Sequence, residues 1–218
     1  MGTPAEMPNP LPVNVKTFDA SVLQNVTPVQ GGFIQTVDRM TPFWIAKYAT
    51  PPLTAARDQA FQAFLDGLRG AVNTFLGFDP RRPKPYNYRT YAYGVKPWEA
   101  SSGSTYVYAA SPSASTVTVY GLAVGAVLTA GDYVCWKQTP NNMWYCHRIT
   151  ANATADGSGH ATLSVYPPPI TVSAGSNFAR FERAGAEMKI IGPIVKSDRL
   201  EDTGPVYSFT AVQFIDRT

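Results

Sequence analysis

"FQAFLDGLRGAVNTFLGFDP", Phe61 to Pro80, reads as an amphipathic helix, a glycine stop and a short strand. Phe61, Phe64, Leu65 and Leu68 recur at i, i+3, i+4 and i+7, which gathers them on one helix face to cover an apolar surface. Thr54 stands where an N-cap is needed, its hydroxyl able to accept from a free first-turn amide. Gly70 is the expected stop, because glycine enters a left-handed C-terminal conformation at little cost. "AVNTFLGF" is expected to resume as a strand, closed by "DPRRPKP". The rest of the chain is strand-rich, so a lone helix of this kind is expected to seal one face or end of a sheet.

Outward from this unit the composition is that of a β protein. The 218 residues include 44% hydrophobic and 12% aromatic residues, only 15% charged residues, 17 glycines and 19 prolines. Such a chain can build packed cores from many short strands and turns. The net charge of +3 is small, and the one tight basic run, "RRPKP" at Arg81 to Pro85, reads as a solvated linker rather than a DNA contact. The sequence shows neither a secretory leader pattern nor an apolar run near the roughly 18 residues that span a bilayer. The expectation is a soluble protein made in a cytoplasm, without membrane insertion. The first thirteen residues carry four prolines, which favours an extended arm lying on a neighbour or a disordered tail.

"GFIQTVDRMTPFWIAKY", Gly32 to Tyr48, supplies two strands around a polar turn. After "PYNYRTYAYGVKPW" the texture shifts to small β-formers, and a second β unit is expected to about Phe181. "AEMKIIGPIV" and "VYSFTAVQFID" are the last strands, the latter returning to the first unit, with Phe209, Ala211 and Gln213 alternating against Val212 and Phe214.

"GDYVCWKQTPNNMWYCHRI" is a β-hairpin by its two aromatic runs around "TPNN". With the turn centred between Pro140 and Asn141, Cys135 faces Cys146, Trp136 faces Tyr145 and Lys137 faces Trp144. A reducing cytosol would keep this cross-strand thiol pair apart, and later oxidation could join it. A metal site lacks a second ligand pair of suitable spacing. Trp136, Trp144 and Tyr145 are either packed in a core or interface or displayed as a sugar-stacking platform. Alternation puts Trp144 on the opposite face from the other two, which favours packing for at least one cluster.

Chemistry is sparse. His147 and His160 sit in no H-E-x-x-H or G-x-S-x-G context, and no glycine loop followed by Lys-Ser/Thr is present to hold phosphate. Asp66, Asp79, Asp132, Asp156, Glu182, Glu187, Glu201 and Asp202 supply carboxylates, but spacing alone pairs none of them across a cleft. "DGSG" at Asp156 reads as a tight turn, lacking the repeated ligands of a calcium loop. No catalytic residue, cofactor or metal is expected, and the chain reads as a non-enzyme.

"TPPL" (Thr50 to Leu53), "FQAFLDGLRG" and "NTFLGFDPRRPKP", followed by "LTAGDYVCW", "RITANATADGSGHATLSVYPPP" and "YSFTAVQFID", resemble the distal tail or minor tail proteins at the tail tip of long-tailed bacteriophages. The resemblance covers roughly Pro42 to the C-terminus and lies in patterned apolar, Gly and Pro positions. It implies a mainly β protein: a β-sandwich belt domain with one α-helix, residues 1–86 with an arm at about 1–13, completed by 184–218. Residues 87–183 would form an inserted outer domain, a small β-barrel or β-sandwich. The implied role is a homo-hexameric virion ring around the DNA channel, contacting the tail tube protein, the tail hub and other tail-tip proteins, with DNA only passing through. Assembly would occur in the host bacterial cytoplasm. The aromatic hairpin is not part of the resemblance. It keeps open a carbohydrate-binding module that recognises host-surface glycan through Trp144 or Trp136.

Overall fold

The computed structural model describes residues 4–8, 14–22, 24–29, 33–38, 41–88, 106–111, 113–138, 143–169, 177–197 and 204–215. Most of the arm, the stretch 89–105 and the Pro140-Asn141 turn tip lie outside them. In chain order the elements are β1 (Ala5–Glu6), β2 (Asn14–Ser21), β3 (Gln24–Val29), β4 (Phe33–Asp38), β5 (Phe43–Ala49), α1 (Ala55–Leu68) and β6 (Phe75–Phe78). There follow β7 (Tyr106–Ser111), β8 (Thr116–Tyr120), β9 (Val127–Leu128), β10 (Tyr133–Gln138), β11 (Met143–Ile149), β12 (Ala153–Thr154) and β13 (Ala161–Tyr166). The last are β14 (Asn177–Phe178), β15 (Gly185–Lys196) and β16 (Tyr207–Gln213).

The described residues are mainly β with one α-helix, as the composition implies. One mixed six-stranded sheet runs β1-β6-β15-β16-β5-β2 and unites the two ends of the chain. A second sheet, β10-β11-β13-β8-β7-β14, is built wholly from the segment between β6 and β15 and curls on itself. Beyond β14 the backbone of Arg180 exchanges hydrogen bonds of 2.9 and 2.8 Å with Cys135 of β10, so the edges of this sheet touch at one bridge. Among the described residues β3 and β4 pair only with each other, and β2 reaches past this hairpin to pair with β5.

The final strand lies in the middle of the first sheet, between β15 and β5, with Tyr207, Phe209, Ala211 and Gln213 all buried. Where β6 crosses β15, a Cβ on Gly185 would meet the carbonyl oxygen of Gly77, so the close approach requires glycine at that point. Residues 4–8 of the arm pack against the chain itself. β1 pairs in parallel with β6, and Met7 is buried in the first core. A two-residue strand between prolines has no periodicity to announce it.

Helix α1 covers one face of the first sheet. Phe61 and Leu68 are buried, and Phe64 and Leu65 pack against the same core. Phe61 lies 5.1 Å from the Tyr207 ring, and Phe64 meets Phe75 edge-on at 5.8 Å. The helix ends differ from the sequence reading. Thr54 holds the N-cap backbone geometry, but its side chain makes no cap hydrogen bond. At the other end Arg69, at φ 49°, takes the left-handed position before Gly70 does. Asn73 satisfies the last turn: its backbone N–H donates to the Leu68 carbonyl at 3.1 Å and its side chain to the Gly67 carbonyl at 2.9 Å. This turn occupies the residues before Phe75, so the strand is shorter than "AVNTFLGF" suggests.

Candidate functional site

The β10–β11 hairpin is the wall shared by two cores. Its register sets Cys135 opposite Cys146, Trp136 opposite Tyr145 and Lys137 opposite Trp144, the pairing expected from the turn position. Alternation sends Tyr133, Cys135 and Cys146 into the core of the first sheet, with Trp144 packed at its margin. Val134 and Trp136 go to the core of the second sheet, with Leu128, Ile149, Leu163 and Phe181.

The seam is aromatic. Phe18 and Trp44 of the first sheet stack at 4.7 Å, and Tyr133 meets both edge-on at 5.7 Å. The guanidinium of Arg148 lies 5.4 Å from the Trp44 ring and 5.5 Å from the Tyr133 ring. It also donates to the Phe18 carbonyl at 3.4 Å and pairs with Asp19 at 3.3 Å. Trp44 Nε1 donates to the Cys146 carbonyl at 2.6 Å.

Burial decides what the titratable groups here can do. It pushes the Cys135 thiol up to about 12 and the Cys146 thiol well above its usual range, so both stay protonated. Burial also lowers His147 to about 4. The neutral imidazole satisfies both nitrogens internally: Nδ1 donates to the Pro167 carbonyl and Nε2 accepts from the Gln138 amide, each at 2.6 Å. It stacks on Trp136 at 4.2 Å. A buried imidazole held this way is a structural wedge between β11 and the segment after β13.

Four of the carboxylates are engaged by the chain's own donors. Asp79 accepts from the Arg81 guanidinium at 2.9 and 3.1 Å and from its backbone N–H at 3.0 Å. Asp132 accepts from the backbone N–H groups of Tyr86 and Thr129, each at 2.8 Å. Glu187 accepts from the Thr74 hydroxyl at 2.6 Å. Asp156 accepts from the backbone N–H groups of Ser158 and His160, closing the "DGSG" turn. Among the described residues no cluster of three or more His, Cys, Asp or Glu side chains is arranged to hold a metal ion.

The three hairpin aromatics do not share one exposed face. Trp136 is fully buried and Tyr145 is 7% exposed, both facing inward. Trp144 is half-buried, with the Lys137 ammonium 5.8 Å from its ring. The hairpin aromatics are therefore packing groups first.

A second feature was not legible as a surface. From Ile191 to Ser197 every residue is exposed, and this half of β15 has no described strand on the side opposite β16, because β6 pairs only as far as Met188. Ile191, Ile194 and Val195 are 49%, 36% and 57% exposed. Gly192 at φ 73° and Pro193 form an irregularity in the pairing with β16. A proline and a bulge at an open edge block strand addition, so the projection offers apolar side chains rather than backbone groups. Its base is fixed to α1: Lys196 lies 3.9 Å from Asp58, and the Tyr207 hydroxyl bonds Asp58 and Gln62. The "IIGPIV" sequence held the signal, since Gly-Pro inside an apolar strand marks an edge or a bulge. No protein-family model matches the chain, and no curated protein matches it.

Proposed function

We propose that this chain is a structural subunit of the tail tip of a long-tailed bacteriophage, forming a hexameric ring around the DNA channel and joining the tail tube to the hub and fibre apparatus. The observation that carries this reading is the β15 projection, three exposed aliphatic side chains on a segment braced against α1. An apolar group of that kind on the surface of a strand suits a subunit contact. A ring needs a heterologous contact that closes, and a surface of side chains rather than an open strand edge limits runaway pairing.

The organisation also supports it. One helix-bearing sheet is completed by the C-terminal strands, and a second sheet is inserted between β6 and β15, the order the resemblance implies. The small net charge suits a conduit that DNA traverses without being gripped. Such a protein functions in the virion after assembly in the host cytoplasm, with the tail tube protein and tail hub as neighbours.

The test is the native mass of the purified chain by light scattering over a range of concentrations, alone and with the tail tube protein, followed by negative-stain imaging. A six-membered ring with a central hole is the expected result. A monomer under every one of these conditions overturns the reading.

A further inference from the structure

We propose that Cys135 and Cys146 form a built site for an intramolecular disulfide, closed when the folded chain passes from a reducing to an oxidising medium. The two residues are direct partners in the β10–β11 register. Their backbone bonds fix which kind of partner. Cys135 directs both its N–H and its C=O away from β11, to Arg180, at 2.9 and 2.8 Å. The Cys146 carbonyl likewise points out of the hairpin, to Trp44 Nε1.

The pair is therefore a non-hydrogen-bonded one, the antiparallel position where facing residues approach closest, with Cα atoms roughly 4.5 Å apart. That spacing lies inside the range a disulfide accepts. Both side chains leave the hairpin on the same face and enter the same core, 0% and 1% exposed. A bridge of that span keeps the strand register and replaces the contact of Cys146 Sγ with the Ala184 carbonyl at 3.8 Å.

The reaction is thiol–disulfide exchange with a low-molecular-weight disulfide such as oxidised glutathione. One cysteine thiolate attacks it, forming a mixed disulfide and releasing one glutathione thiolate, which takes up a proton. The second cysteine thiolate attacks the protein sulfur of that adduct and expels the second glutathione. Two protein thiols are oxidised, and one glutathione disulfide is reduced to two thiols. Burial makes the first step slow in the native fold, so the thiols persist in a reducing cytosol and the bond closes after transient opening of the hairpin. Once formed, it joins the two strands where both cores share them. The site stands independently of the tail-tip reading.

The experiment uses the full reduced chain, incubated with oxidised glutathione at mildly alkaline pH in sub-denaturing urea, then unfolded and alkylated. The expected product is a monomer lacking two hydrogens that takes up no alkylating reagent. Digestion without reductant should give one linked pair of peptides holding Cys135 and Cys146. Its urea midpoint should lie above that of the reduced chain and return on reduction, and Cys146→Ala should show no rise. Refolding in a glutathione redox buffer, where burial no longer limits access, should reach the same linked state. Free thiols after that refolding, a persistent glutathione adduct, covalent dimers, a lowered midpoint, or a rise in Cys146→Ala would each overturn the site.

Discussion

Trp44 of β5 donates its indole N–H to the carbonyl of Cys146 in β11, 102 residues further along the chain, and both groups are buried. Trp136 is equally buried, yet its indole N–H has no partner among the described residues. Replacing each tryptophan by phenylalanine removes a similar volume but different hydrogen bonding. Trp44→Phe strands a buried carbonyl, whereas Trp136→Phe removes an unsatisfied donor. Trp44→Phe should therefore cost about 1–3 kcal/mol more than Trp136→Phe in urea denaturation. Equal losses would mean that the bond across the seam contributes nothing.

His147 gives the fold a pH dependence with a definite sign. Its folded value of about 4 lies below the ordinary value of 6.5 because burial penalises the charged ring. The unfolded chain binds the proton more readily, so the stabilisation is complete above pH 6.5 and is lost as pH falls from 6.5 toward 4. The full loss is on the order of 3 kcal/mol. Denaturation midpoints across that window should fall in the wild type. His147→Gln, which does not titrate, should show a shallower fall, and parallel curves would remove His147 as the cause.

What the sequence made legible was local. The hairpin register followed from one turn cluster between two aromatic runs, and the helix face from four apolar residues at helical spacing. Non-local features left no comparable mark. β2 pairs with β5 across an intervening hairpin, and two residues of a proline-rich arm form a parallel edge beside β6. The Trp44–Cys146 bond joins segments whose local patterns are independent. Trp136 and Trp144 look alike as sequence, and only the placement of a core on each side of the hairpin distinguishes the buried ring from the half-buried one. The exposed half of β15 was hidden for the opposite reason: apolar strand residues are usually read as core.

The helix face offers a direct check on packing. Leu68 is 1% exposed within the first core, so Leu68→Ala should cost about 2–5 kcal/mol. Leu65→Ala, at a half-buried position on the same face, should cost less. Leu68→Asp should be worse than either, because a carboxylate would replace a core side chain with no donor supplied for it. An unchanged urea midpoint for Leu68→Ala would show that α1 does not seal the sheet.

The projection separates assembly from folding. Ile194 and Val195 are exposed in the single chain, so Ile194→Asp with Val195→Asp should change monomer stability by no more than about 0.5 kcal/mol per site. In a ring whose subunits meet through this surface, the same pair buries two carboxylates in an apolar contact, and association should fall by orders of magnitude. Light scattering and urea denaturation on the double variant then read the two properties separately. Loss of the large species with an unchanged midpoint assigns the projection to the subunit contact. An intact ring would move the contact to another face, and a collapsed midpoint would mean that these side chains support the fold itself.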